Sequence, residues 1–457
     1  MAQDVSTTSS GRLTPEMVSP SLAATPGADD WTVETIHDEE AQVYLIRDGL
    51  EAVRVVSNDR AQVSLCNDHA PADGSGGTNV RGSTSLTLLG DDVADQQRLE
   101  SRLRDAVISA SLTSNPPYPF ATAPAGGYPE PLVRDPLLTG DVTTALEDTM
   151  LRLRTAAENW GTVSLASGEI YATRRRRALR NSRGIEVATH ETSVFLDFVL
   201  IAREGDREAE FHAEMSRRRL SDLMIESAVD AYATFARHAV TAQLPGNHEG
   251  PVILSGNALT NFFQPVIMHA SAQAAYQKFS RFTPGEVITP TDPRGDRLTL
   301  LSDALRPWGT NSHAFDSEGL PGTRVALIED GVFTRYWAGS RYASYLGIEP
   351  TGAFGNLTVQ PGTWGLDVLR SAAEGPVYEI VEFAFLDPDS ISGDFTVEIR
   401  LGYRHDASGS TPIKGGTLTG NVFAALADAR LSASVYSDGN YHGPAAIRFG
   451  SLRISGA

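Results

Sequence analysis

Lysine is almost missing from this chain: Lys278 and Lys414 are the only two in 457 residues. The other basic residues are arginines, and 38 basic against 57 acidic residues leave a net charge of −19. A strongly acidic chain repels phosphate backbones, which excludes nucleic acid as an expected partner. Cysteine is rarer still. Cys66 stands alone, so no internal disulfide and no cysteine-built zinc site can form. Nothing beside it in sequence would lower its pKa, and it reads as a bystander rather than a nucleophile. No apolar run approaches the roughly 18 residues that a membrane helix needs. Residues 1–30 lack a basic segment followed by an apolar one, so they do not read as a signal peptide. Their Ser, Thr, Pro and Gly content predicts a disordered leader on a cytoplasmic protein. Several catalytic signatures are also missing: no Gly-x-Ser-x-Gly elbow, no P-loop, and no dinucleotide fingerprint.

What is present suffices for two cores. Hydrophobic residues make up 41% of the chain and aromatics 8%, and this length exceeds one ordinary core. Strand-forming clusters occur at Val43–Arg47, Ala52–Val56 and Ser85–Leu89, with a glycine turn at Gly74, Gly76 and Gly77. Leu99, Leu103, Ala106, Val107 and Ala110 recur at helical spacing. After a proline- and glycine-rich connection from Pro116 to Pro136, a second helix is expected over 142–158. Strands over 161–170 and 185–202 flank the basic run Arg174–Arg177. A long helical pattern then begins at Leu220 and continues through Phe235 and Ala236. Composition changes at Pro245-Gly246-Asn247. Beyond a helical stretch over 257–279, short β-rich runs at 324–328, 377–385, 395–403 and 445–454 alternate with turns. The fold class is therefore α+β. A leader (1–30) precedes a mixed α/β domain (31–245), followed by a β-rich antiparallel domain (246–457), barrel- or sandwich-like.

Candidate chemistry is sparse. A metallopeptidase helix needs two histidines one turn apart and a glutamate beside the first. His190-Glu191 and His248-Glu249 both lack the second histidine, and each reads as a strand or turn residue. His212 and Glu214, two apart, would share a strand face, but the sequence offers no third ligand, and His238 lies farther along a helix. Arg174–Arg177 reads mainly as a solvated or ion-pairing face rather than an anion site. His313, Asp316 and Glu318 form the most reactive-looking cluster, in a loop whose Asp316, Gly319, Pro321 and Gly322 are also ordinary turn residues. They are the candidate chamber residues. No catalytic, metal-binding or cofactor-binding residue is assigned.

A series of segments in order resembles one family. Asn181-Ser182-Arg183-Gly184 comes first, then Phe315-Asp316-Ser317-Glu318-Gly319 and Ile328-Glu329-Asp330-Gly331. Thr351-Gly352, Asn356-Leu357, Ser392-Gly393-Asp394-Phe395, Gly420-Asn421 and the closing run 447–456 follow. Together, over roughly residues 180–457, they resemble the TldD/PmbA peptidases. Departures include Thr351–Gly355, Ser408-Gly409-Ser410 and the long leader. The resemblance implies that a TldD-type chain carries zinc on a His-Glu-x-x-x-His helix and a distant cysteine. An ungapped match sets those positions at Phe263, Gln264, Met268 and Tyr436, none of which supplies a zinc ligand. The chain is thus similar to the TldE (PmbA) type: the non-catalytic subunit of a heterodimeric metallopeptidase that cleaves or matures peptides. That reading implies no cofactor in this chain, zinc in a TldD-type partner, and a peptide substrate in an enclosed chamber, with modified peptides or natural-product precursors left open. The alternative is a metal-free homodimeric peptide or small-molecule binder. A weaker third reading is an independent enzyme using His313, Asp316 and Glu318.

Overall fold

A computed structural model describes residues 12–46, 49–71, 79–288, 295–371 and 375–456. The N-terminal half is built on the strands β1 (Asp30–Ile46), β2 (Gly49–His69), β3 (Val80–Leu88), β4 (Val163–Asn181), β5 (Glu186–Glu204) and β6 (Arg207–Arg217). They form one antiparallel sheet in the order β3-β2-β1-β4-β5-β6. Helices α1 (Gln96–Ser111), α2 (Val142–Glu158) and α3 (Ile225–Thr241) cover one face of it. Their apolar positions repeat every three or four residues and bury Leu99, Leu103, Leu146, Met150, Val229 and Ala233 against alternate strand residues such as Val33, Val43, Leu196 and Phe198.

The strands are longer than the sequence suggests. β2 runs 21 residues and β4 runs 19, against about 5–6 for an ordinary strand. Arg174–Arg177, expected between two strands, lies inside β4. The register sets Arg174 opposite Glu39 and Arg175 opposite Asp38. Arg174 pairs with Glu39 at 2.8 Å, Arg175 with Asp38 at 2.7 Å, and Arg177 with Glu34 at 2.6 Å. Polar stretches without apolar alternation extend as strands because their charges alternate in sign across the ladder. The tight turn from β4 to β5 uses Gly184 at φ +88°, a conformation that glycine adopts without a Cβ penalty.

Two further expectations change. The leader is folded from Leu13 on: a 3₁₀ turn at Pro15–Met17 and a short helix at Ser19–Ala24 carry Leu13, Val18 and Leu22 into the core over β1, β2 and α1. Burial of those three side chains outweighs the polar composition around them. The helix expected from Leu220 begins instead at Ile225, after a 3₁₀ turn at Leu220–Leu223 and the left-handed Met224 at φ 44°. Residues 1–11, Arg47 and the turn at Gly74, Gly76 and Gly77 lie outside the described residues.

The C-terminal half contains β7 (His248–Ser255), β8 (Leu300–Asp303), β9 (Arg324–Glu329), β10 (Val332–Phe333), β11 (Asn356–Val359) and β12 (Val377–Phe383). Beyond these come β13 (Asp394–Asp406), β14 (Gly409–Ile413), β15 (Thr417–Asn421), β16 (Arg430–Leu431), β17 (Val435–Asp438), β18 (Tyr441–Pro444) and β19 (Ala446–Ser455). β12, β7, β19, β15 and β13 pair in a ring that closes through β12–β13. A closed ring of five strands cannot be antiparallel throughout, and β7–β12 is its parallel pair. A second, open sheet runs β10-β9-β8-β11-β18-β17.

Between barrel and open sheet lies the stretch expected to be one helix over 257–279. It is broken into a 3₁₀ turn (Gly256–Leu259), α4 (Gln264–His269) and α5 (Ala272–Tyr276). Pro265 starts α4, and Ser271 caps α5 by accepting the Ala274 N–H at 3.0 Å. Phe262 packs on Phe449 at 4.8 Å between ring centroids, and one apolar core joins this segment to both sheets.

Candidate functional site

A cleft of about 680 Å³ lies between α3 and the barrel. Its apolar lining includes Met215, Leu223, Met224, Phe235 and Val381. Its polar lining includes Asn257, Glu379, Glu382, Tyr403, His405 and Tyr436. Secondary structure explains their convergence. Asn257 follows the end of β7, Glu379 and Glu382 sit on the neighbouring strand β12, and Tyr436 comes from β17.

Most charges in the cleft are neutralised. Glu379 accepts from both nitrogens of Arg370 (2.7 and 2.9 Å), from His405 Nε2 (2.9 Å) and from Ser255 Oγ (2.9 Å). Burial pushes its pKa up, but these donors prevail and hold the carboxyl down at about 2. Arg217 donates to Asp438, and Arg219 forms a bidentate pair with Asp222. His238 and the Tyr403 hydroxyl meet at 2.8 Å and tie α3 to β13. Glu382 differs. Burial pushes its pKa up to about 7 against weaker pulls from Arg400 and the nearby Asn257 amide. No salt bridge reaches it among the described residues.

The positions matched to zinc ligands do not converge on this cleft. Phe263 is fully buried and stacks on Tyr441 at 6.3 Å, while Gln264 points to solvent. Tyr436 does reach the cleft, and its hydroxyl donates to Asn257 Oδ1, whose amide donates to the Tyr232 hydroxyl at 3.2 Å. The segment therefore faces the cleft through Ser255, Gly256 and Asn257. Tyr436 thus meets Asn257, six residues ahead of Phe263, and not Phe263 or Gln264. The cleft residues on this side do not form a zinc-binding set. A serine, a glycine, an asparagine amide and a phenol whose pKa burial drives up offer no imidazole or thiolate. His405, the cleft's imidazole, is held by Glu379 and by Ser410 at 2.7 Å.

Residues 247–456 match the family model described as the PmbA/TldA metallopeptidase C-terminal domain. The chain belongs to the TldD/PmbA family. Its sequence is 26% identical over 252 residues to the metalloprotease PmbA of Escherichia coli O157:H7, covering 53% of this chain and 54% of that one. It is 24% identical over 267 residues to a zinc metalloprotease TldD homolog of Saccharolobus solfataricus, covering 54% and 58%. The chain thus spans somewhat more than half the length of these two relatives. Its fold is that of TldE from Thermococcus kodakarensis, with a TM-score of 0.78 over 96% of this chain and 99% of that one, at 17% identity.

Within this family fold the motif at 315–322 is architectural. Phe315 is buried, with Arg177 over its ring at 5.0 Å. Asp316 accepts the N–H groups of Glu318 and Leu320 through one oxygen and of Ala353 through the other, each at 2.9 Å. Burial and the nearby Glu318 charge still raise its pKa to about 6. Glu318 accepts the Ser340 N–H at 2.8 Å. It also lines a second cavity, of about 460 Å³, with Cys66 and Tyr118. His313 does not join either carboxylate: its Nδ1 meets the Asn311 carbonyl at 2.8 Å, and its buried Nε2 has no partner. Cys66 is buried, which pushes its thiol pKa up.

Tertiary structure supplies the third group that sequence could not give His212 and Glu214. Asp197 on β5 lies opposite Glu214. His212 Nε2 is 2.8 Å from Asp197 and 3.7 Å from Glu214. The cluster is half-exposed, and an Asp–His hydrogen bond accounts for it. Sequence reasoning missed Arg218 altogether. This buried arginine pairs with Glu191 at 2.9 Å and donates to the carbonyls of Gly309, Thr310 and Ser312, fastening the sheet to the C-terminal half. The middle arginine of the run Arg217-Arg218-Arg219 carries no sequence signal that sets it apart for such a role.

Proposed function

We propose that this chain is the non-catalytic, TldE-type subunit of a two-chain zinc metallopeptidase that cleaves or matures peptides. The metal would lie in a TldD-type partner, and this chain would shape the enclosed peptide-binding chamber. The observation that carries the reading is the composition of the cleft at Tyr436. The resemblance implies a zinc site of imidazoles and a thiolate, whereas its matched positions here are Phe263, Gln264, Met268 and Tyr436, and Tyr436 meets Asn257 in the cleft. Zinc supplies a polarised water for amide hydrolysis when it is bound in a suitable donor set, and these residues do not make one. An extended peptide would bind through main-chain hydrogen bonds along a sheet edge, largely independent of side-chain chemistry. Candidate chamber groups from this chain are His313, Asp316 and Glu318. The expected setting is cytoplasmic, and no helix among the described residues is long and apolar enough to cross a membrane.

Zinc content and peptide hydrolysis, measured on the chain alone and after adding a TldD-type protein with an intact His-Glu-x-x-x-His helix, test this. The chain alone is expected to hold no stoichiometric zinc and cleave nothing, with both appearing on reconstitution. Stoichiometric zinc and hydrolysis by the isolated chain would overturn it. The cleft, complete within one chain, favours one rival: a metal-free homodimeric peptide or small-molecule binder. Failure to recover any TldD-type partner on co-purification would favour it.

A further inference from the structure

We infer that the cleft between α3 and the barrel binds a ligand bearing an ammonium group on an apolar body, with Glu382 as its counter-ion. The choice of peptides as the ligand class rests on the reading above, whereas the charge argument stands on this chain alone. Among the charged groups around the cleft, Arg217 is met by Asp438, Arg219 by Asp222, and Arg370 with His405 by Glu379. Glu382 is left over among the described residues: Arg400 pulls on it but forms no ion pair with it. A half-buried carboxylate without a cation at contact distance is costly, and a ligand cation would relieve that cost. Asn257, held by the Tyr436 and Tyr232 hydroxyls, shares the cleft with Glu382.

The apolar lining sets the rest of the ligand. Met215, Leu223, Met224, Phe235 and Val381 contribute it, and methionine side chains adapt to varied apolar shapes. A volume of about 680 Å³ lies within the roughly 300–1,000 Å³ of small-ligand sites. It accommodates about two amino-acid residues rather than a folded partner. Two kinds of ligand share this chemistry: a peptide's free α-amino terminus and a lysine side chain.

Three dipeptide amides distinguish them by calorimetric titration of the full-length chain at pH 8. Leu-Phe amide offers only an α-ammonium, acetyl-Lys-Phe amide only a side-chain ammonium, and acetyl-Leu-Phe amide neither. At least one of the first two is expected to bind saturably, and the doubly blocked peptide at least tenfold more weakly. Glu382→Gln, close in shape and uncharged, is expected to lose at least tenfold in affinity for the bound amine. Ala231→Trp fills the cleft from the exposed side of α3 without touching the core, and serves if the first variant fails to fold; it should lose binding too. Equal binding of the blocked peptide, wild-type affinity in both variants, or no saturable binding of either amine would overturn the inference. Because binding is read on this chain without partner or zinc, absence of ammonium binding would leave the subunit reading standing. Conversely, zinc in the isolated chain would refute that reading without touching this one.

Discussion

The sheet of the N-terminal half and the barrel of the C-terminal half solve the same problem, keeping strands together, by different means. The barrel has no open edges within its ring, and its strands are short, with inward residues such as Ile380, Ile399, Leu418 and Ile447 packed in one apolar core. The sheet is open, with strands of up to 21 residues, and beyond its helix-covered core it is knit by arginine–carboxylate pairs such as Arg174–Glu39 and Arg175–Asp38. In the barrel, water exclusion does most of the stabilising. In the sheet's polar stretch, opposite charges in register do the aligning, and solvent screens most of what each pair contributes. The joint between the two halves borrows from both: a buried ion pair, Arg218 with Glu191, set among loop carbonyls.

The largest expected effect falls in the barrel. Phe262→Ala should cost ~3–5 kcal/mol by denaturant titration, the range for a buried aromatic removed from a packed core. A loss under ~1.5 kcal/mol would mean the barrel core is looser than its burial indicates, and the contrast with the sheet would weaken.

Next comes the joint. Arg218→Ala strands Glu191 in a buried position with only the 3.5 Å contact to Arg177 left, and should cost ~3 kcal/mol, because an orphaned buried charge is worse than none. Glu191→Gln combined with Arg218→Met in a double-mutant cycle should recover part of the loss. If Arg218→Ala is as mild as a surface substitution, the joint belongs with the sheet's ladder and not with the core.

The two glutamates of the cleft should respond to pH with opposite sign. Glu379 is held down at about 2. Its contribution is complete above the unfolded value near 4.5 and is lost as pH falls towards 2. Glu382 is pushed up to about 7, so the folded state holds its proton longer than the unfolded chain does. Stability is then greatest below about 4.5, declines as pH rises to 7, and levels off above it. Glu382→Gln should therefore leave stability at pH 4.5 nearly unchanged and raise it at pH 8 by ~1 kcal/mol, discounted for partial exposure. Thermal midpoints across pH 4–8 check this, and a variant no more stable than wild type at pH 8 would show that Arg400 already balances that carboxyl against the like charge of Glu214.

The smallest effect belongs to the sheet's charge ladder. Arg174→Ala should change stability by less than ~1 kcal/mol, and high salt should erase even that. A larger, salt-resistant loss would show that the ladder holds the long strands together and does not merely align them.

How much of this could be read beforehand depends on where the signal lay. α2 appears at residues 142–158 as expected because its apolar period and Asp141 cap are local properties. The arginines of β4 gave no strand signal, since their partners lie some 135 to 143 residues away on β1. The long helix expected over 257–279 broke because Pro265 and the Ser271 cap are strong local stops that its apolar content masked. The run at 313–320 was legible as a turn, and Asp316 confirms that with its backbone hydrogen bonds. The cleft was not legible: its groups come from β6, α3, β12, β13 and β17, which only tertiary folding brings to one place.

By itself, then, the sequence determined the fold class, the family resemblance and the lack of a His-Glu-x-x-x-His helix, because composition, periodicity and motif order are properties of the chain. Tertiary structure alone decided that a folded leader completes the first core, that Arg174, Arg175 and Arg177 are spent on the chain's own acids, and that Glu382 has no ion-pair partner among the described residues. Each of those turns on which distant residues share a low-dielectric space, and burial and pairing are set by packing across the chain and not by neighbours along it.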